Sequence, residues 1–438
     1  MPSSGRKGKS KVSAHQEIVS LQHPIGVLVE TTFDPARQPL LQFAVWTGKD
    51  FKAMTTMPLI NGATAVPPAD RNGLIEKRVV LLPSTATEYG SPDILLAELV
   101  AFIHRYADVP DFWEELIAHY VLMTWVYDRF TAVPYLRFLG EPQSGKTRCL
   151  QVAGSLSYKA IFGGGSTTAS PLFRLLDLYR GTFVLDEADY KSSDLWSEMI
   201  KILNCGYMRG MPVLRSDKKG DSYDPRAFDV FGPKILSTRK EFEDHALETR
   251  CITLRTGERK IRPDIPRQLP EAFNTEALEL RNKLLRWRFE NHAPIQSDES
   301  KLLDLEPRLT QIGAPIYTVS CDPGFRVRLL TFLGDQADQQ RGERPQAMVA
   351  EAIRICLQYN TKWPATLTVK EVSGYAHQVS VDWDAETNFT PKRTAPLVRT
   401  LGFDTRRTGT GYQFDVTAAQ LSELVSRYKP KTGAATTP

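Results

Sequence analysis

Residues 140 to 147 read Gly-Glu-Pro-Gln-Ser-Gly-Lys-Thr, and further along the chain stands Gly181-Thr-Phe-Val-Leu-Asp186-Glu187-Ala-Asp. The first segment fits G-x-x-x-x-G-K-[ST], in which glycines let backbone N–H groups wrap phosphate oxygens. Such a loop must join a strand to a helix N-terminus, whose dipole favours anions. Tyr135-Leu-Arg-Phe-Leu139 has the composition of a short apolar strand, and Arg148-Cys-Leu-Gln-Val-Ala-Gly-Ser-Leu has helical spacing. The pair predicts an α/β fold with a P-loop nucleotide-binding core. Gly140, Glu141, Pro142, Gln143, Ser144 and Gly145 would cradle the phosphates of ATP; Lys146 would reach the β- and γ-phosphates, and the Thr147 hydroxyl would sit on Mg2+.

Phe183-Val-Leu185 has the pattern of a buried strand, so Asp186 falls at its carboxyl end, where open α/β sheets hold ligands. Asp186 can orient magnesium with Thr147, and Glu187 can polarise a water for in-line attack. A kinase for small molecules has no use for a water-activating carboxylate there. The plain alternative for Asp186-Glu187-Ala188-Asp189 is a solvated turn after a strand, which the upstream loop disfavours. The same tetrapeptide spells a signature of a large RNA helicase class, but the spacing and downstream segments do not follow that class.

A length of 438 residues accommodates two to four domains. With 42% hydrophobic and 24% charged residues the composition is that of a soluble globular protein. A net charge of +4 is too small to make the whole molecule a polyanion binder, so local clusters matter more. Five scattered cysteines, none in C-x-x-C, point away from disulfides and structural zinc and toward a reducing, cytoplasmic setting. The N-terminus has no apolar signal-peptide core, and Leu116 to Tyr127 is too short to span a bilayer and reads as a buried helix.

The chain is expected to divide as follows. Residues 1–14 form a basic tail; 15–92 a small β-rich domain, with apolar runs such as Ile25–Val29, Leu41–Trp46 and Arg78–Leu82; 93–130 a helical connector. The ATPase core is assigned to 131–260, a helical lid region to 261–345, a winged-helix-like domain to 346–430 and a tail to 431–438. Within the core, Lys159–Gly163 predicts a short strand and Thr168–Tyr179 a helix with Pro171 at its first position. An extra strand between phosphate loop and acid strand is the arrangement of the branch that includes motor ATPases. Ser192–Tyr207 predicts a helix, and Pro212–Tyr223 a hairpin with Arg215, Lys218 and Lys219 near its tip as nucleic-acid contacts.

Phe231–Thr238 predicts a strand ending in Ser237 and Thr238, where a hydroxyl can bond the γ-phosphate or attacking water; Thr238 is the assigned residue. Arg250 precedes a final apolar strand, and its fixed charge suits a phosphoryl group in flight, with a surface salt bridge as the plain alternative. Arg308 could lean over the nucleotide from the lid. Lys392, Arg393, Arg399, Arg406 and Arg407 fall on an expected recognition helix and wing, positioned for a DNA backbone or for a solvated, protein-docking face.

Trp113–Phe130 leading into Pro134-Tyr-Leu-Arg-Phe, the Leu-Asp-Glu-Ala-Asp strand, Gly206-Tyr-Met-Arg-Gly210 and Phe231-Gly-Pro-Lys-Ile235 together resemble one family. It is the AAA+-like (ASCE) P-loop replicative helicase ATPases of phages, plasmids and integrated mobile elements, often fused to or beside a primase. Ala246-Leu-Glu-Thr-Arg250-Cys also resembles the Ser-Arg-Cys box of clamp loaders, whose arginine acts on the adjacent subunit's nucleotide. The resemblance covers roughly residues 110 to 420 and implies a homo-oligomer, a hexameric ring, working on single-stranded or forked DNA with a primase or other replication protein as partner. Residues 1 to 100 show no primase-polymerase acidic constellation, and Ser237-Thr238 stands where many relatives carry Asn. A DNA-dependent helicase motor and an ATP-dependent loader or switch without unwinding both fit these motifs.

Overall fold

The computed structural model describes residues 15–22, 26–70, 72–164, 167–187, 194–219, 222–257, 261–292, 300–302, 305–342, 345–383, 387–409 and 411–428. Both expected tails, residues 188–193 after the acid pair, and the tip of the expected hairpin lie outside them. The chain forms two compact units, residues 1–329 and 330–438.

Residues 15–66 supply β1 (His15–Glu17), β2 (Ser20–Gln22), β3 (Leu28–Phe33), β4 (Leu41–Trp46), β5 (Phe51–Met54), β6 (Met57–Pro58) and β7 (Thr64–Val66). β2, β3, β4 and β5 pair in that order as an antiparallel meander, and β1-β7-β6 form a second small sheet. Val29, Phe43, Val45, Met57 and Ala65 pack in one buried cluster, which β-branched and aromatic side chains on pleated strands favour. The Arg78–Leu82 run does not become a strand. Arg78 takes a left-handed φ of 62°, and only Val80 makes a bridge, antiparallel to Ile161. Its apolar side chains Val80 and Leu82 join the core packed against the parallel sheet described below.

Two helices follow, α1 (Pro92–Tyr106) and α2 (Asp111–Trp125). The Ser91 hydroxyl caps α1 by accepting from Ile94 N at 3.3 Å. α2 has no side-chain cap, but Asp111 and Glu114 sit in its first turn, and its residues from Trp113 to Trp125 are buried except Glu115.

The remaining elements of this unit are β8 (Tyr135–Leu139), α3 (Lys146–Leu156), β9 (Ile161–Gly163), α4 (Ala169–Tyr179), β10 (Phe183–Leu185), α5 (Asp194–Cys205), β11 (Val213–Lys219), β12 (Ser222–Phe228), β13 (Lys234–Thr238), α6 (His245–Glu248), β14 (Cys251–Arg255), α7 (Ala272–Asn291) and α8 (Pro307–Val319). α9 (Pro323–Gly342) spans the boundary between the units. Five strands form a parallel sheet in the order β14-β8-β13-β10-β9. β8, β10 and β13 are buried along their whole length, and the charged side chains they carry, Arg137 and Lys234, are buried with partners. The strand inserted between the loop strand β8 and the acid strand β10 is β13, from later in the chain; the Lys159–Gly163 segment flanks β10 at the sheet edge. α4 starts at Ala169, which moves Pro171 to its third residue, where a missing N–H still removes no helical bond.

A buried charge network fastens the N-terminal meander to this core. Glu30 of β3 lies 2.8 Å from Lys159 Nζ and 2.8 Å from Arg288 Nε. Arg288 also pairs with Asp128 at 2.8 Å, and Asp128 in turn meets His292 Nε2 at 2.8 Å. Tyr158 donates its hydroxyl to Glu30 at 2.8 Å. Burial alone would raise the Glu30 carboxyl, but Lys159 and Arg288 outweigh it and hold it below its ordinary range. Lys234, equally buried, donates to the carbonyls of Gly206, Val230 and Gly232 at 3.1, 3.0 and 2.8 Å, three acceptors that match the three protons of an ammonium.

His119 of α2 is buried against Phe325, ring centroids 3.8 Å apart, with Nδ1 2.8 Å from the Glu115 carbonyl. Burial pushes its pKa from 6.5 down to about 4. The neutral imidazole is therefore favoured in the fold, and stability present above pH 6.5 is lost as pH falls toward 4, where the unfolded chain takes up a proton that the native state refuses. His292, also lowered mainly by burial, adds in the same direction. Thermal unfolding should occur at a lower temperature at pH 5 than at pH 7, and His119→Gln should flatten that dependence; an unchanged pH profile in the variant would remove His119 from it.

In residues 330–438 stand α10 (Pro345–Leu357), β15 (Ala365–Thr368), α11 (Val369–Asp382), α12 (Pro391–Thr400), β16 (Arg406–Thr408), β17 (Gly411–Val416) and α13 (Ala418–Arg427). The strands make an antiparallel sheet, β15-β17-β16. Ile353, Val372, Val398, Phe414 and Val416 share its core. Capping boxes at Thr368/Glu371 and Thr417/Gln420 fix the starts of α11 and α13, and Thr390 caps α12. Among the described residues no helix is long and apolar enough to cross a membrane.

Candidate nucleotide-binding site

Because β8, β10 and β13 run parallel and adjacent, their carboxyl ends deliver three chain segments to one place. Residues 140–145 leave β8 and lead straight into α3, which begins at Lys146. The loop needs unusual backbone: Gly145 has φ 92° and Gln143 φ 66°. At Gly140 the constraint is space, since a Cβ would lie 2.5 Å from the Thr256 carbonyl oxygen. Thr256, just past β14, also bonds the Ser144 hydroxyl at 2.8 Å and steadies the loop from its far side. Arg148 anchors the start of α3 by donating to the Pro266 and Arg267 carbonyls at 2.8 and 3.0 Å.

Lys146 folds over the loop, donating to the carbonyls of Gly140 and Glu141 at 2.6 Å each. Thr147 donates its hydroxyl to Asp186 Oδ2 at 3.0 Å. The loop and acid segments, distant in sequence, therefore meet. Ser237, at the end of β13, donates to Asp186 Oδ1 and accepts from the Glu187 backbone N–H at 3.0 Å. Glu187 takes a left-handed φ of 55°, a conformation that a non-glycine residue adopts at a cost of about 1–3 kcal/mol and that clusters at functional sites. Its carboxylate is 62% exposed and 3.1 Å from Arg239.

Ser237 is the hydroxyl that engages both acids; the Thr238 hydroxyl is buried and finds no partner among the described residues. Strand alternation sends the two side chains to opposite faces, and sequence alone does not say which face looks at Asp186. Ser237 therefore takes the place assigned to Thr238, and Arg239 and Thr256 join the site without a sequence motif to mark them. Their only signal is position, one or two residues from the carboxyl ends of parallel strands.

Arg250 and Arg308 are not brought to the loop. Arg250 precedes β14, and its carbonyl accepts from Tyr135 N at the amino edge of β8. Four strand steps of ~3.3 Å separate that edge from Leu139, roughly 13 Å. There Arg250 is 8% exposed, donates to Asn204, and stacks 4.2 Å from the Tyr207 ring centroid. Arg308 lies 4.8 Å from the same centroid.

The basic residues expected to meet nucleic acid separate into groups. Arg215 lies within β11 rather than at a tip, paired with Glu198 and 5.1 Å from the Phe173 ring. Lys218 and Lys219 close β11, in register with Tyr223 and Ser222. In the second unit Lys392, Arg393, Arg399 and Arg407 are exposed, while Arg406 is held by Asp415 at 2.7 and 3.0 Å. A separate cavity of about 710 Å³ between β2 and the buried charge network is lined by five arginines and five carboxylates, so it carries no net preference for an anion.

No family model matches the sequence, and no curated protein matches it. Among solved structures the chain is similar to one described as "SCCmec type IV Cch - active helicase", with a TM-score of 0.45 and 12% identity over 94% of this chain and 80% of that one. It is also similar to the apo A form of the NrS-1 C-terminal region, with a TM-score of 0.38 and 10% identity over 89% of this chain and 96% of that one.

Proposed function

We propose that the chain is an ATP hydrolase that acts on DNA as an oligomeric motor of the replicative-helicase kind. The convergence of Lys146, Thr147, Asp186 and Glu187 at neighbouring carboxyl ends of one parallel sheet carries this reading. The loop amides and Lys146 bind the triphosphate of ATP. The donor set fits magnesium, since a hydroxyl and a carboxylate 3.0 Å apart are hard oxygen ligands. Thr147 and Asp186 would hold the ion, which supplies charge neutralisation at the β- and γ-phosphates.

Glu187 accepts the proton of the attacking water, provided its carboxylate leaves Arg239. Ser237 fixes the directions of both acids and is the hydroxyl placed to meet a phosphate oxygen or the water, whereas Thr238 is buried on the opposite face of the strand. Arg250, at the amino edge of the sheet, is too far to serve its own loop; service to a neighbouring protomer's nucleotide, the reading kept here, requires it to leave Asn204 and Tyr207, and Arg308 stands at the same ring. The exposed basic groups of α12 and the β16–β17 hairpin, with a capped helix and a wing-like pair of strands, support a winged-helix-like DNA contact.

The test is ATPase rate per chain against protein concentration, with and without single-stranded DNA. The rate should rise with both, and Arg250→Ala should abolish the rise with concentration while leaving ATP binding intact. A rate per chain that is flat with concentration and indifferent to DNA would overturn the oligomeric motor. Forked DNA then separates motor from loader, because a loader hydrolyses ATP and displaces no strand.

A further inference from the structure

We infer that the ring of Tyr412 is a stacking platform for an unpaired base, so that residues 330–438 hold single-stranded DNA in preference to duplex. This rests on the DNA contact proposed above and adds to it the form of DNA that is held.

Strand alternation places Tyr412 on the same face of β17 as Phe414 and Val416, both fully buried. Tyr412 lies beyond that core and is 41% exposed. Two cations flank it. The Arg399 guanidinium of α12 is 6.0 Å from its ring centroid, oriented by a 3.0 Å bond from Nε to the Thr405 hydroxyl. Arg407 of β16 is its cross-strand neighbour in the register. Lys392 stands seven residues before Arg399, two turns and ~10.5 Å along the same stripe of the helix. On the other face Arg406 is neutralised by Asp415, which also accepts from the Thr366 hydroxyl at 2.6 Å.

What remains exposed is one aromatic face set among cations that have no carboxylate partner among the described residues. Grooves for single strands are built this way: cations follow the phosphates while a ring stacks on a base, whatever its sequence. A duplex offers the phosphates but keeps its base faces inside the helix, so the ring gains nothing there. The two contributions differ in salt dependence. Phosphate contacts release counterions and set the slope of affinity against salt; stacking does not.

The experiment uses the full chain, a fluorescein-labelled oligothymidylate and a duplex of equal length, with anisotropy measured across a salt series. Tyr412→Ala should weaken oligothymidylate binding about tenfold at every salt concentration without changing the slope, and leave duplex binding as it was. Tyr412→Phe should bind as the wild type does. Tyr412→Leu, which keeps apolar bulk but no flat ring, should lose as much as the alanine variant. Arg407→Ala should instead reduce the slope by ~0.7. Wild-type affinity in Tyr412→Leu, or an equal loss on duplex, would overturn the inference. Failure of the wild type to bind either DNA would overturn the DNA contact itself.

Discussion

Glu187→Gln is expected to bind ATP as tightly as the wild type and to hydrolyse it about two to four orders of magnitude more slowly, the range that a positioned general base supplies. The substitution keeps the length of the side chain, the backbone bond from Glu187 N to Ser237 and the left-handed φ, so the loop and the Asp186 carboxylate stay where they are. What it removes is the proton acceptor. Lys146→Ala provides the contrast, because losing the ammonium that caps the loop carbonyls should weaken ATP binding itself. Equilibrium binding of a fluorescent ATP analogue beside steady-state phosphate release distinguishes the two. Wild-type turnover in Glu187→Gln would strip Glu187 of its role and leave the acid pair with the metal alone.

The second large effect lies away from the 140–147 loop. Glu30→Ala should cost about 3–5 kcal/mol of stability in residues 1–329, because it removes the carboxylate that pairs with buried Lys159 and leaves Arg288 with Asp128 alone. Lys159 is 1% exposed and Arg288 3%, so water cannot replace the lost partner. The Glu30 carboxyl titrates below its ordinary range, so its stabilisation is present above that range and is lost only as pH falls through the lowered value. Urea unfolding at pH 7 should therefore separate Glu30→Ala from wild type clearly, while at acid pH the gap should close. A difference within about 1 kcal/mol at neutral pH would mean that the network is a neutral substitute for apolar packing rather than a fastening.

How much of this was legible beforehand differs from element to element. The loop at residues 140–147 and the acid pair at 186–187 could be named because their chemistry is local: glycine where backbone must approach phosphate, lysine and hydroxyl at fixed offsets, carboxylates just past an apolar run. Strand–loop–helix context could be read from periodicity for the same reason. The identity of the hydroxyl beside the acids could not, because Ser237 and Thr238 are adjacent and only the register of β13 against β10 and β8 decides which one faces Asp186. Arg308 was assigned to its own chain's nucleotide, yet it stands at Tyr207, beside the opposite edge of the sheet. Nothing in the spacing of residues 250 and 308 reveals a shared tyrosine.

The sequence by itself determined the loop's position between strand and helix and the acid pair's place at a strand end, since each depends on residues within a few positions of one another. Only the tertiary structure decided that β13 slips between β8 and β10, that Ser237 rather than Thr238 touches Asp186, that Glu30 and Arg288 find each other across most of the first unit, and that Arg406 is neutralised while Arg407 and Tyr412 stay open. Those outcomes follow from strand order and register, and a shift of one residue in register turns every side chain to the other face.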